Sequence, residues 1–156
     1  MNNYDTIEIL NGLIQTCKDG QEGFVAAAEA VKSNDLEMVF QEIAEQRGQF
    51  AEDLTELVTS LHGDPKEHGT IGGMLHRGWS DLKSAVTSED DAAILSECER
   101  GEDAAKENYG SALEKAMPIE IAEIVRRQFD AVLEAHRRIR SLRDGINPRT
   151  NSASTL

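Results

Sequence analysis

Apolar residues recur every three or four positions through four long stretches, the spacing that gathers them on one face of an α-helix. In the first stretch Leu10, Ile14, Cys17, Val25 and Ala28 keep the period, with Gln21 inside it. Asp5 and Glu8 have capping-box spacing at its start. Ser33-Asn34-Asp35 breaks the period and can cap a second helix. That helix carries Leu36, Val39, Phe40, Ile43, Arg47, Phe50, Leu54, Leu57 and Leu61 on one face, and Gly63-Asp64-Pro65 ends it. A shorter, glycine-interrupted helix is predicted within Thr70 to Val86, with Ile71, Met74, Leu75, Trp79, Leu82 and Val86 as its apolar face. Ser88 and Asp91 give a second capping-box signal. The third long helix turns Ile94, Leu95, Cys98, Glu102, Ala105, Tyr109 and Leu113 inward. Met117-Pro118 makes the next turn, and Pro118 suits a first helical position. The fourth turns Ile121, Val125, Gln128, Val132, Ala135 or His136, Ile139 and Leu142 inward, and Gly145 and Pro148 stop it.

These elements predict an all-α chain. A link of about three residues makes the first two helices antiparallel neighbours. Helices of roughly 25 residues are roughly 37 Å long at the α-helical rise, and a connection from Gly63 to Asp91 can travel that length. The expected architecture is a ferritin-like four-helix bundle: two antiparallel hairpins joined by a long crossover carrying a short helix. Residues 1–146 form one domain, and the polar tail 147–156 is expected to be disordered.

Polar residues sit mid-helix on the apolar seams at Gln21, Arg47, Glu102 and Gln128. Gln21 pairs with Glu102, and Arg47 with Gln128, at one offset of eighty-one positions. Cys17-Lys-Asp-Gly20 matches Cys98-Glu-Arg-Gly101 at the same offset. The pattern reads as a repeated hairpin with a polar midsection.

Several segments resemble a known family: Leu10-Asn-Gly-Leu-Ile, Asp19-Gly-Gln-Glu-Gly-Phe24, Leu75-His-Arg-Gly-Trp79, Glu99-Arg-Gly-Glu-Asp103 and Ala135-His-Arg-Arg. They are similar to an uncharacterised bacterial family of four-helix-bundle proteins, domain of unknown function 2383. The resemblance covers about Ile7 to Asp144. It implies a ferritin-like fold and brings no activity with it.

Composition agrees with helix: aromatic residues are 4% and prolines three in 156 residues. The formal net charge of −13 argues against non-specific nucleic-acid binding, which needs cations to displace counterions. Charge is uneven. Met1 to His62 holds only Lys18, Lys32 and Arg47 among many acids, whereas Arg126, Arg127, Arg137, Arg138, Arg140 and Arg143 cluster in the last helix. That cluster reads as a face paired with acidic neighbours; the alternative is a docking patch for an acidic partner. Cys17 and Cys98 lie on apolar faces and fit buried, reduced thiols. No signal-peptide pattern and no membrane-length apolar run is present, so the expectation is a cytoplasmic protein without a membrane segment.

Ferritin-like di-metal sites draw one Glu from each of two helices and Glu-x-x-His from the other two. Here the second helix offers Arg47-Gly-Gln-Phe50 and the fourth Gln128-Phe-Asp-Ala131, with no Glu-x-x-His anywhere in the chain. A cation at Arg47 also opposes a metal. The expectation is therefore no catalytic residue, no metal and no cofactor, but a buried polar network of Gln21, Arg47, Glu102, Gln128 and His136, structural or serving an unidentified small ligand. Arg47 and Glu102 are expected to form an ion pair. Inward rotation of Glu45, Glu99 or Asp103 is the route to an unconventional metal site. His62, His68 and His76 fall at the end of the second helix and in the crossover; His76-Arg77-Gly78-Trp79 is expected to be a packing and capping feature, with Trp79 covering a bundle flank. The function expected is a non-enzymatic interaction or assembly protein, with a stress-associated homodimer or larger homo-oligomer as one form. The alternative is a di-metal oxidase or iron-handling protein with a displaced site.

Overall fold

The computed structural model describes residues 2–65 and 78–146. It contains five helices: α1 Asn3–Ala30, α2 Asn34–Ser60, α3 Leu82–Thr87, α4 Asp91–Leu113 and α5 Ile119–Ile146. No strand occurs among the described residues. The all-α class and the four long helices match the sequence pattern. The expected tail and the Thr70 to Arg77 part of the predicted crossover helix lie outside the described residues.

Local signals shift by a few positions. Asn2, rather than Asp5, caps α1, its side-chain oxygen accepting from the Asp5 N–H at 2.9 Å. Ser33 caps α2 as expected. At the end of α2 His62, not Gly63, takes the left-handed conformation (φ 66°). The His62 N–H donates to the Thr59 carbonyl and the Gly63 N–H to the Val58 carbonyl, both at 2.9 Å, closing a Schellman motif. Asp90, not Ser88, caps α4. Asp91 is thereby free to reach across to the α1–α2 loop, where its carboxylate accepts from the Lys32 and Ser33 N–H groups at 2.8 and 3.0 Å. Trp79 is not helical: Gly78 to Asp81 form a turn, and α3 starts only at Leu82.

Cross-helix pairs give the direction of each helix. Thr16 meets Asn108 and Cys17 meets Tyr109, whereas Lys32 meets Asp91, so α1 and α4 are antiparallel. Glu42 meets Arg138 and Phe50 meets Gln128, so α2 and α5 are antiparallel. Asp103 meets His136 and Glu99 meets Arg143, so α4 and α5 are antiparallel as well. With α1–α2 a hairpin, α2 and α4 run parallel. A crossover spanning the bundle produces that order, and it is compatible with the ferritin-like arrangement.

The apolar interior falls into two clusters. One holds Phe24, Phe40, Ile43, Trp79, Leu95 and Ile139; the other holds Leu10, Ile14, Leu54, Val58, Val125 and Val132. Arg47 and Glu102 lie at the level between them.

Candidate functional site

The polar midsection is built from α2 and α4. Arg47 is 1% exposed and Glu102 0%. Two guanidinium nitrogens of Arg47 donate to the two carboxylate oxygens of Glu102, at 2.5 and 2.8 Å. The planar fork matches the carboxylate, and this bidentate geometry is what makes a buried pair tolerable. Arg47 Nε donates to the Gln46 side-chain oxygen at 3.2 Å. Burial pulls the guanidinium pKa down, but the Glu102 carboxylate more than offsets this and leaves it above its ordinary value. Arg47 therefore stays charged.

A second chain of hydrogen bonds lies beside it. The Tyr109 hydroxyl donates to Gln128 Oε1 at 2.6 Å, and Gln128 Nε2 faces the Phe50 carbonyl at 3.4 Å. With its one hydrogen committed, Tyr109 Oη is left as the acceptor for the Cys17 thiol at 3.0 Å. Burial pushes the Cys17 thiol up to about 11, against partial relief from Tyr109 and Arg47. Burial likewise raises the Tyr109 hydroxyl and the Cys98 thiol well above their ordinary values. These are protonated groups holding a packed interior, not poised nucleophiles.

The remaining expected members stand apart. His136 is buried on α5, but its Nε2 meets Asp103, 2.5 Å away and largely exposed, at the α4–α5 edge. Gln21 is not in the network. It is half-buried on the outer α1–α2 face and lies across Gly48, where a Cβ would come within 2.5 Å of its amide nitrogen. The inner face of α1 is instead Cys17, Gly20, Phe24 and Ala27, and Val25, expected on it, is 44% exposed. The two-fold match of Gln21 with Glu102 therefore ends at the sequence.

The carboxylates that offered an unconventional metal site turn elsewhere. Glu45 is exposed, Glu99 accepts from Arg143 at 2.5 Å, and Asp103 holds His136. Among the described residues no three His, Cys, Asp or Glu side chains are grouped to hold a metal ion. Of the α5 arginines, Arg137 pairs with Glu134, Arg138 with Glu42 and Arg143 with Glu99 and Asp144. Arg126 lies 6.0 Å from the centre of the Phe129 ring.

Sequence reasoning missed Glu97. It is buried on α4 and accepts from the Asp81 N–H at 2.9 Å and from Arg100 at 3.0 Å. Its place three residues before Arg100 was the available signal.

Residues 5–115 match the family described as Domain of unknown function (DUF2383). The chain belongs to this family. The matched span takes in α1, α2, α3 and α4, and with them Arg47, Glu102, Tyr109 and the Trp79 turn. No curated protein matches the chain. No helix among the described residues is long and apolar enough to cross a membrane.

Proposed function

We propose that this DUF2383 chain is a non-enzymatic interaction or assembly protein on a ferritin-like scaffold, with its buried polar layer standing where di-metal proteins of that fold hold their ions. The observation that carries this reading is the bidentate Arg47–Glu102 pair between the two apolar clusters. A fixed cation uses both oxygens of the Glu102 carboxylate. Tyr109, Gln128 and Cys17 fill the adjoining space with hydrogen bonds that need their protons. Arg47–Glu102 ties one hairpin to the other, and Cys17–Tyr109 does so again through α1 and α4. A polar layer of this kind selects one register between two similar hairpins, as single buried polar residues do in coiled coils.

The homo-oligomer belongs to the same proposal. Trp79 and Ala85, in the described part of the crossover, pack onto their own bundle. Tyr4 (71% exposed) and Ile119 (70% exposed) lie at one end of the bundle, since α1 and α5 are parallel. A stress-associated, cytoplasmic role fits an acidic chain whose described helices include no membrane span.

Metal analysis of protein purified with iron and manganese present is the test. Trace metal, unchanged by Glu102→Leu, is the expected result. Two tightly bound ions per chain, lost on changing Glu102, would overturn the reading in favour of a di-metal oxidase or iron-handling protein.

A further inference from the structure

Three of the segments that carry the family resemblance meet at one place, and it is not the polar layer. Gly23-Phe24 on α1, Gly78-Trp79 in the turn and Arg100-Gly101 on α4 converge on the indole of Trp79. A Cβ on Gly23 would come within 2.5 Å of that ring, and one on Gly101 within 2.1 Å. The ring therefore occupies a slot that two glycines leave open between α1 and α4. Phe24 meets it edge-on, with centroids 5.2 Å apart. Gly78 has φ 79°, and a Cβ there would come within 2.6 Å of the Arg100 carbonyl oxygen, so the turn lies directly on α4.

The fastenings of this turn are separable from those of the bundle. On one side of the slot α1 and α4 are joined by Cys17–Tyr109 and Thr16–Asn108; on the other, Asp91 binds the loop after α1. One of the two apolar clusters contains no residue of the turn or of α3. The turn's own ties are weaker. Arg100 donates to Asp81 at 2.6 Å and to Ser80 at 3.2 Å through exposed side chains, so the hold rests largely on the buried Glu97 carboxylate, which accepts from both Arg100 and the Asp81 N–H. Helix α3 has six residues and no side-chain cap at its start. Burial raises the Glu97 pKa, outweighing the Asp81 N–H and Arg100.

We propose that residues 78–87 form a releasable strap: Trp79 leaves its slot while the four long helices stay assembled, and the Asp81–Arg100–Glu97 cluster sets how tightly it is held. Release uncovers an apolar slot the size of an indole, with Phe24 on its wall. The strap is the low-stability unit of the fold, in the sense of a local opening far below the global unfolding free energy.

Trp79 is the only tryptophan, so its fluorescence reports the strap directly. Native-state hydrogen exchange of the full chain reads the same opening at the Asp81 amide. The expected result is faster exchange at Asp81 than at Phe24 or Leu95, through an opening nearly independent of urea. Arg100→Ala should increase acrylamide quenching of Trp79 with the helical circular dichroism unchanged. Gly101→Ala, which puts a methyl group in the ring's place, should shift emission to the red at unchanged helical content. Equal exchange rates and urea dependence at Asp81, Phe24 and Leu95 would overturn the proposal. So would Arg100→Ala leaving quenching unaltered, or a Gly101→Ala emission shift accompanied by helix loss.

Discussion

At the scale of single residues, Arg47 and Glu102 carry the largest consequences. Each is buried, so removing one partner strands the other's charge at a cost of about 3–5 kcal/mol. Arg47→Met and Glu102→Leu should each lower stability by that order in urea unfolding. The double variant should be much less damaged, because the desolvation of both charges disappears with the pair. Additive losses in the double-mutant cycle would show that the two do not interact. Tyr109→Phe takes away the donor to Gln128 and the acceptor for Cys17, and should cost about 1–3 kcal/mol with the fold retained. Cys17 adds a pH dependence whose sign is fixed. Its thiol titrates at about 11 in the folded chain against an ordinary 9.0. Its contribution is therefore whole below pH 9 and lost as pH rises through 11. Stability measured by denaturant should fall across that window, and Cys17→Ser, which keeps a donor to Tyr109 without a titrating thiol, should flatten part of the fall.

At the scale of elements, the hairpins are held by devices at their ends as well as by their faces. Asp91 starts α4 and binds the N–H groups of Lys32 and Ser33 on the other hairpin. Asp91→Ala should destabilise by about 1.5–3 kcal/mol, the range for hydrogen bonds to a charged group. An unchanged denaturant slope would show that the α1–α2 loop stays folded while losing its tie. The periodicity of α2, α4 and α5 located their inner faces closely, because large apolar residues mark those faces on both sides of Arg47, Glu102 and Gln128. That of α1 did not: its inner face contains Gly20 and Gly23, which carry no hydropathy signal. Their value is that Arg47 and Trp79 lie against them, which is visible only once other segments arrive. The Gly78 to Asp81 part of the crossover was misread as helix for a related reason. Trp79 has the spacing of a helix face, yet it enters the bundle from a turn.

At the scale of the whole molecule, charge and apolar exposure compete over association. A net charge of −13 repels like copies, while Tyr4 and Ile119 are large apolar side chains exposed at one end of the bundle. Light scattering at moderate salt should give a mass above the 17.2 kDa of one chain. Ile119→Asp should return the mass to that of the monomer. A single-chain mass for the unaltered protein over a wide concentration range would remove the assembly reading while leaving the strap proposal intact.

The sequence by itself determined the helices, their tight hairpin pairing, the long crossover and the burial of Arg47, Glu102 and Gln128. Each of these follows from local periodicity, from loop length, or from a polar residue placed on an apolar stripe. Only the tertiary structure decided which polar residues meet. Tyr109 and Cys17 looked apolar by position and joined the network because their hydroxyl and thiol face one another across α1 and α4. Gln21 looked like a member and fell outside because the glycines of α1 turn a different edge inward. Glu97, Gly23, Gly101 and Trp79 gained their roles in the same way. A slot or a shared carboxylate is a relation between elements, and no single helix contains it.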